Sequence, residues 1–255
     1  MTRFNIISTG WQCANWLGQT LQSVQRQTHE DWQMMIVYDP SDDDGAQRIR
    51  EWCQWREDHW DHRWHYRINT ERLFAPRNQF EAIRLLNPDD EDVIVFLDLD
   101  GDMLAHPDVL AHLAEEYADG TLVTYGNYRP IPDEGLCPAA KPYPPEVIAS
   151  LSYRAYIRGG RECCFNHPRC MKARVAKAIG KEQFQWPDGR WYEGPADYLF
   201  MVPALELAGG RHKCLTEVLT LYNNANVYAD NLTHPGESTA GCLDMLSKPV
   251  LDPLP

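Results

Sequence analysis

Short apolar runs alternate with amphipathic stretches through the first half of the chain, and this alternation constrains the fold more than any other feature. The strand-like runs are residues 4–8, 33–38, 64–69, 93–97 and 121–128, and the helical patterns between them are residues 16–27, 46–56, 77–86 and 107–117. Asn15 is a candidate N-cap for the first of these helices. Parallel strands need long crossover connections, which helices usually supply. The sequence therefore predicts an α/β fold with a mostly parallel sheet flanked by helices.

The alternation stops near residue 130. A proline-rich connection at residues 130–145 is followed by helical patterns at residues 146–156 and 196–208, with loops rich in Trp and Tyr around them. Residues 234–255 combine scattered Gly, Ser and Pro with little periodicity, and we interpret them as a tail that either wraps the domain or is disordered.

Composition limits the classes of protein to which this chain can belong. Its 255 residues include 24 Lys and Arg against 37 Asp and Glu, which gives a formal charge of −13. This length fits one large α/β domain, and the negative charge disfavours tight binding to nucleic acid. No run approaches the ~18 apolar residues of a membrane-spanning helix and no signal peptide is visible, so we expect a cytoplasmic protein. Its eight cysteines are then expected to be reduced.

Carboxylates collect at the ends of two predicted strands. Asp98, Asp100 and Asp102 follow the fourth predicted strand, and Asp39 follows the second. Alternation along an extended segment places Asp98 and Asp100 on one side, where they can share Mg²⁺ or Mn²⁺ that bridges to a diphosphate. A solvated acidic turn explains the same D-x-D pattern, and a loop or helix cap explains Asp39. We expect a ligand site at this edge of the sheet.

Two further side chains stand where they can contact a nucleotide. Trp11 follows the first predicted strand, where an indole can stack on a base, although packing in the core accounts for a Trp equally well. Arg77 opens a predicted helix whose N-terminus can face phosphate together with the guanidinium, and an exposed Arg is the alternative.

Thiols and imidazoles cluster in the second half of the chain. The cluster contains Cys163, Cys164, His167 and Cys170, and His212 with Cys214 can complete a metal shell. The spacing matches no common zinc finger or ribbon, so we favour reduced thiols over a structural zinc site.

Four segments, in this order, resemble the family 2 glycosyltransferases. They are WQCANWLGQTLQSVQRQTHEDW, MMIVYDPSDDDG, APRNQFEAIRLL and VIVFLDLDGDML. The resemblance covers residues 3–130 strongly and 190–225 weakly. It implies a single-domain GT-A fold, which has a Rossmann-like, mixed and mostly parallel sheet, and the transfer of a sugar from a nucleoside diphosphate donor.

The resemblance implies roles for residues around the donor. Thr9, Trp11 and Asp39 would surround the nucleobase, and Arg77 would lie near the base or the diphosphate. We expect a UDP-sugar, although Trp11 and Tyr38 depart from the family pattern and leave the base open.

The resemblance also implies a cation site with Mn²⁺ or Mg²⁺. Asp98 would contact ribose or metal-bound water, and Asp100 would ligate the cation. Gly101 stands at the family's usual second acidic position and Asp102 follows it, so Asp100 and Asp102 are both candidate metal ligands.

Asp197, in the segment GPADY before an apolar helical run, resembles the family's catalytic base. A carboxylate there would take the proton of the acceptor hydroxyl during an inverting transfer. An Asp that stabilises the start of a helix is the alternative. Trp186, Trp191 and Tyr192 precede Asp197, and they either stack on a sugar or anchor the loop.

These inferences together predict a hexosyltransferase-type enzyme. Residues 1–130 would form the nucleotide-sugar-binding half, residues 131–233 the acceptor-binding and catalytic-base half, and residues 234–255 the C-terminal tail. The acceptor hydroxyl could belong to a glycan, lipopolysaccharide, a protein or a hydroxymethylated DNA base. His167 and Arg169 are weak candidates for acceptor contacts.

Two rival functions are alternatives to this prediction. A non-catalytic nucleotide-sugar or glycan-binding module would keep the pocket without turnover. A nucleotidyltransferase would show a Gly-rich phosphate loop after the first strand, which GWQCANW does not provide.

The basic stretch that would suit a nucleic acid acceptor comprises Arg154, Arg158, Arg161, Arg169, Lys172 and Arg174. We interpret it as a solvated helix face.

Overall fold

An eight-stranded mixed sheet forms the centre of the computed structural model, which describes residues 2–132, 139–161 and 163–255. The strands are β1 (Phe4–Gly10), β2 (Trp32–Tyr38), β3 (Trp64–Ile68), β4 (Val93–Phe96), β5 (Met103–Leu104), β6 (Val123–Ile131), β7 (Arg169–Lys172) and β8 (His212–Asn223). Their order in the sheet is β3-β2-β1-β4-β7-β6-β8-β5. The pairs β3–β2, β2–β1, β1–β4 and β6–β8 are parallel, and the other three are antiparallel.

Helices cover both faces of this sheet. They are α1 (Leu17–Gln25), α2 (Gly45–Asp58), α3 (Phe74–Leu86), α4 (Val109–Glu116), α5 (Pro145–Ala149), α6 (Tyr153–Arg158), α7 (Ala173–Ala178), α8 (Ala196–Ala208), α9 (Asp230–Thr233) and α10 (Pro235–Ser247). A short 3₁₀ helix spans Lys181–Phe184. Within the described ranges, no helix combines the length and the apolar character that crossing a membrane requires.

Two apolar cores lie on opposite faces because neighbouring strand residues point in opposite directions. In β4, Val93 and Val95 pack with α1, α2 and α4 on one face. Ile94 and Phe96 pack with α3, α7 and α8 on the other face. Burial on both faces explains why the central strands read as nearly continuous apolar runs.

The structure confirms the predicted alternation, with boundaries that differ by up to three residues. Helix α3 begins at Phe74, so the prediction that Arg77 opens this helix is wrong. Two further helices differ in their caps or continuity. Helix α1 begins at Leu17 with Trp16 as its N-cap and no side-chain capping bond, so the assignment of Asn15 as the cap is wrong. The helix predicted over residues 146–156 is broken into α5 and α6, with Leu151 at φ +52° between them. The Ser150 hydroxyl bonds to the Glu146 carbonyl there, which offers the backbone an alternative to a continuous helix.

The C-terminal segment at residues 234–255 contains the 13-residue helix α10, which packs against α6 and α8. Met245 and Leu246 are buried beneath it, and the Leu254 amide bonds to the Leu207 carbonyl. Sequence patterning missed this helix because Gly236 and Gly241 lower its intrinsic propensity, so tertiary packing supplies its stability. Of the predicted proline-rich connection, residues 133–138 lie outside the described residues.

Only part of the predicted basic stretch faces solvent, since Arg158 and Arg161 are exposed. Arg154, Arg169 and Lys172 are buried, and each has an acidic or carbonyl partner. The Arg154 guanidinium binds Glu206 of α8 at 2.7 Å, and Glu206 is fully buried. These three side chains therefore hold elements together.

Strand directions concentrate polar residues at one edge of the sheet. Parallel β1, β2 and β4 end there, as do β6 and β8. Strand β7 runs the opposite way, so it begins at the same edge, where Arg169 pairs with Phe96 of β4. The segments that follow Gly10, Tyr38, Phe96 and Asn223 are thereby gathered around one opening.

Candidate active site

A cleft of about 320 Å³ opens at this edge of the sheet. Six of the eight predicted site residues line it, namely Thr9, Trp11, Asp39, Asp98, Asp100 and Asp197. The other two, Arg77 and Asp102, are not among the lining residues. The cleft therefore joins side chains from the predicted nucleotide-sugar-binding half with one from the predicted catalytic half.

Asp39 organises the wall that follows β2. Its Oδ1 accepts hydrogen bonds from the side-chain amides of Asn69 at 2.7 Å and Asn78 at 2.9 Å. Its Oδ2 accepts the backbone amides of Leu73 at 3.0 Å and Phe74 at 2.9 Å. Phe74 has a φ of +62°, which is unusual for a residue with a side chain, and the bond from its amide helps to hold that conformation. The Asp39 carboxylate thus fixes the start of α3 against the end of β2.

Trp11 forms an aromatic wall of the cleft. Its indole nitrogen donates to the Pro40 carbonyl at 3.1 Å, and the Arg72 guanidinium lies 3.4 Å from the ring centroid. Tyr228 meets Trp11 edge to face at 6.0 Å between ring centroids. Arg72 lines the cleft as well, and it was not singled out from the sequence because it precedes a helix without any recognisable motif.

Arg77 does not line the cleft. Its Nε donates to Glu81 Oε1 at 2.8 Å, one helical turn further along α3, and its guanidinium faces the ring of Trp191. Glu81 also accepts from Arg67 at 2.7 Å. The structure therefore separates Arg77 from the other predicted nucleotide contacts and gives the cleft Arg72 in its place.

The acidic turn after β4 is fixed by asparagines that follow β8. Asn226 donates to the Asp100 carboxylate at 2.7 Å, and the Asn223 side chain donates to the Asp100 carbonyl at 2.5 Å. Gly101 has a φ of +108°, and a Cβ there would lie 2.6 Å from the Gln19 amide nitrogen and 2.7 Å from that of Asn223. A side chain at position 101, where the family pattern has an acidic residue, would therefore strain the backbone and displace these two amides.

Asp102 lies beneath the floor of the cleft, next to His167. Asp102 is fully buried, and its Oδ1 accepts the Asn223 amide at 2.9 Å. Its Oδ2 lies 3.8 Å from His167 Nδ1. Both of these facing atoms are buried without a hydrogen-bond partner. Burial, followed by Asp100 and Asp98, raises the pKa of Asp102 well above its usual range, whereas burial and Arg169 lower the pKa of His167 well below its own.

This pair and Asp98 fit a divalent cation. One ligand atom from each of Asp98, Asp102 and His167 lies within 4.8 Å of the others. Carboxylate oxygens suit Mg²⁺ and Mn²⁺, and an imidazole nitrogen is compatible with Mn²⁺. A cation would supply the partner that both buried facing atoms lack. Asp100, the other predicted ligand, lines the cleft beside this group without belonging to it.

Arg169 joins the acidic turn to the start of α8. Its Nη2 donates to Asp98 Oδ2 at 3.0 Å, and its Nη1 contacts the carboxylate of Asp197. The Arg169 side chain is 2% exposed, whereas that of Asp197 is 45% exposed. Sequence reasoning missed this pairing because β7 is short and its antiparallel placement beside β4 is not visible in the local pattern.

The thiol cluster does not assemble a metal site among the residues that the structure describes. Cys164 packs in the core on one face of the sheet and Cys170 in the core on the other. His212 accepts or donates a hydrogen bond with the Tyr153 hydroxyl at 2.9 Å. Two of the predicted zinc ligands are therefore separated by the sheet.

The aromatic residues before Asp197 anchor their loop. Tyr192 is 1% exposed and its hydroxyl donates to Asp244 of α10. Trp186 packs against Tyr192, and Trp191 packs against Phe80 of α3. None of the three lines the cleft, so the anchoring interpretation is the one that fits.

Comparisons with known proteins bear on the family and the fold of this chain. A family model described as glycosyl transferase family 2 matches residues 6–178. No curated protein matches the chain significantly.

Similar solved structures share the fold at low sequence identity. S. aureus TarS 1–349 in complex with UDP has a TM-score of 0.63 and 12% identity, over 87% of this chain and 60% of that one. The mannosyltransferase PcManGT from Pyrobaculum calidifontis, in complex with GDP-Man and Mn²⁺, has a TM-score of 0.56 and 16% identity, over 88% of this chain and 56% of that one. Glucosyl-3-phosphoglycerate synthase from Mycobacterium tuberculosis, with Mn²⁺, UDP and phosphoglyceric acid, has a TM-score of 0.59 and 12% identity, over 97% of this chain and 80% of that one. The chain spans 37% of the longer TarS structure.

Proposed function

This chain belongs to glycosyl transferase family 2, and on that premise we propose that it transfers a sugar from a nucleoside diphosphate donor to an acceptor hydroxyl, with a divalent cation and with inversion at the sugar carbon. One observation carries the proposal. The aromatic wall at Trp11, the acidic turn at Asp98 and Asp100, and the carboxylate of Asp197 all face a single cleft.

The donor nucleotide would occupy the side of the cleft formed by the ends of β1 and β2. Thr9 and Trp11 would contact the base, and Asp39 would hold the wall in shape through its four hydrogen bonds. We propose a UDP-sugar, and TarS structures that share this fold contain UDP or UDP-GlcNAc. Arg72 is better placed than Arg77 to contact the donor because it lines the cleft.

The leaving diphosphate would lie over the acidic turn. Asp98, Asp102 and His167 would hold Mn²⁺ or Mg²⁺ there, with Asp100 beside them. When bound, such a cation neutralises the negative charge that develops on the leaving group. Similar folds from Pyrobaculum calidifontis and Mycobacterium tuberculosis contain Mn²⁺, which supports this part of the proposal.

Asp197 would act as the general base. Its carboxylate is accessible from the cleft, at the first turn of α8. It would take the proton of the acceptor hydroxyl as that oxygen attacks the sugar carbon and the bond to the diphosphate breaks. An attack opposite to the leaving group inverts the configuration at this carbon. The acceptor would therefore enter on the side formed by residues 131–233, and its class stays open.

Release of nucleoside diphosphate tests the function. The purified chain would be incubated with Mn²⁺, with UDP-, GDP-, ADP- and dTDP-hexoses in turn, and with a panel of glycan and lipopolysaccharide acceptors. We expect one donor to release its diphosphate, and Asp197→Asn to lower kcat by about 10²–10⁴-fold while the donor still binds.

Asp188→Asn is the matched control, because Asp188 is an exposed carboxylate on the same connection and pairs with Arg190. We expect this variant to keep the wild-type rate. Near-normal turnover by Asp197→Asn would remove Asp197 from the role of base. Donor binding without turnover, across all donors and acceptors, would instead favour a non-catalytic nucleotide-sugar-binding module.

A further inference from the structure

Arg169 is a buried cation placed directly behind the cleft. It is the first residue of β7, which lies between β4 and β6 in the sheet. Its backbone pairs with Phe96 of β4 and Tyr125 of β6, so the sheet fixes its position from both sides. The side chain is 2% exposed and does not line the cleft. Arg169 therefore cannot reach a bound donor directly, and it acts on the cleft through its neighbours.

Those neighbours are two carboxylates from different parts of the fold. Nη2 of Arg169 donates to Asp98 at 3.0 Å, and Nη1 contacts Asp197. Asp98 belongs to the turn after β4, whereas Asp197 belongs to the first turn of α8. Both carboxylates line the cleft. One planar guanidinium thus spans from the acidic turn to the proposed base.

The first turn of α8 has no side-chain cap that could hold Asp197 in place. The N-cap of α8 is Pro195, which makes no side-chain capping bond. The Asp197 side chain is 45% exposed, so solvent alone would leave it free to change rotamer. A bond to a rigid, buried guanidinium restricts that freedom.

We propose that Arg169 is a positioning residue that holds Asp98 and Asp197 at a fixed separation across the cleft. This role rests on the proposed function, because it presumes that Asp197 is the base. It replaces the sequence-based candidacy of Arg169 as an acceptor contact, since a side chain that does not line the cleft cannot bind the acceptor. Lys cannot substitute for Arg here, because a single ammonium cannot present two donors in a fixed fork.

Arg169→Lys tests the proposal with charge conserved. We expect kcat to fall by about 100-fold, since a base displaced by about 1 Å costs that much. The Kd for the donor with Mn²⁺, measured by calorimetry, should rise by a smaller factor than kcat falls, because Asp98 is still present and Asp102 and His167 still face the cation site. Arg174→Lys is the matched control, since Arg174 lies on α7, directly after β7, and pairs with the exposed Glu91. This variant should keep the wild-type kcat.

A double-mutant cycle shows whether Arg169 acts through Asp197. If it does, Arg169→Lys should cost little additional rate in an Asp197→Asn background, because the side chain it positions is already inactive. The cycle compares the effect of Arg169→Lys on kcat in two backgrounds. A loss of stability caused by Arg169→Lys is present in both backgrounds and does not create a difference between them. Full additivity of the two rate losses would contradict the proposal.

Two further results would overturn it. A normal kcat with a weakened donor Kd in Arg169→Lys would show that Arg169 supports donor or cation binding and does not position Asp197. A wild-type rate and a wild-type Kd would show that it has no role in the site. If the wild-type protein turns over no nucleotide sugar at all, the proposed function fails together with this role, whereas wild-type turnover with unaffected Arg169→Lys refutes the role of Arg169 alone.

Discussion

At the scale of single residues, two arginines five positions apart differ in what they face. Arg72 covers the ring of Trp11 in the cleft, whereas Arg77 pairs with Glu81 on α3. We expect Arg72→Ala to weaken donor binding about tenfold, because it removes a cation–π contact that supports the aromatic wall. Arg77→Ala is the control and should change the donor Kd less than twofold. Calorimetry with UDP-glucose and GDP-mannose in the presence of Mn²⁺ measures the donor Kd of both variants. A larger loss of affinity in Arg77→Ala than in Arg72→Ala would restore Arg77 to the donor site.

Single substitutions test each candidate cation ligand separately. We expect Asp102→Asn and His167→Gln each to weaken Mn²⁺ binding at least tenfold, because each removes one of three converging ligand atoms. Titration followed by electron paramagnetic resonance measures the free ion directly and does not depend on turnover.

Two further variants decide between the ligand sets. Asp42→Asn changes an exposed carboxylate in the loop after β2 and should leave Mn²⁺ binding unchanged. Asp100→Asn tests the other ligand predicted from the sequence. Loss of Mn²⁺ binding in Asp100→Asn with normal binding in Asp102→Asn would exclude the group formed by Asp98, Asp102 and His167.

The sequence predicts the residues of the acidic turn better than it predicts their partners. Asp98 and Asp100 are recognisable because they directly follow an apolar strand. His167 and Arg169 precede or begin a four-residue strand whose antiparallel pairing with β4 is a long-range contact. Local periodicity carries no information about such pairing, so the partners of Asp98 and Asp102 become visible only in the structure.

At the scale of elements, a buried ion pair connects three helices and the chain terminus. Arg154 of α6 binds Glu206 of α8 and the Met245 carbonyl of α10, and Glu206 also accepts the Leu251 amide. We expect Arg154→Met to cost about 3–5 kcal/mol, because it leaves an unpaired buried carboxylate. The melting temperature should then fall by roughly 6–20 °C.

Controls distinguish this burial effect from the loss of an ordinary ion pair. Arg190→Met breaks the exposed pair with Asp188 and should change the melting temperature by less than about 2 °C. Adding Glu206→Leu to Arg154→Met should recover much of the loss, because an apolar replacement removes the unpaired charge. An equal effect of Arg190→Met and Arg154→Met would contradict this account of the helices.

The free energy of unfolding depends on pH through His212, the first residue of strand β8. Burial lowers the pKa of His212 to about 4. An unfolded His protonates near pH 6.5, so the unfolded chain binds more protons between these values. Stability from the neutral imidazole is therefore complete above pH 6.5, and up to about 3 kcal/mol of it is lost as the pH falls to 4.

Urea unfolding at several pH values checks this expectation. The free energy of unfolding should depend less steeply on pH in His212→Gln than in the wild type. His62→Gln is the control because His62 is exposed, and its pH dependence should match that of the wild type. Identical slopes for wild type and His212→Gln would show that His212 does not titrate differently in the folded state.

At the scale of the whole molecule, the alternation of apolar runs and helical patterns predicts a mostly parallel α/β sheet, and the family resemblance adds the GT-A fold. The α/β sheet, the GT-A fold and membership of family 2 are confirmed by the structure and the comparisons. The C-terminal half was less predictable, because its helices α5, α6 and α10 are short or rich in Ser and Gly and depend on tertiary packing. The division of the chain into two functional halves and a tail remains a prediction.

Thermal unfolding in the presence of nucleotide sugars tests the central claim most directly, because a ligand that binds the native state raises its stability. UDP-, GDP-, ADP- and dTDP-hexoses would each be added with Mn²⁺ and, separately, with a chelator. We predict that one donor at about 100 times its Kd raises the melting temperature by roughly 5–10 °C, and that it does so only with Mn²⁺. No shift with any donor in either condition would contradict the account of this cleft as a donor site.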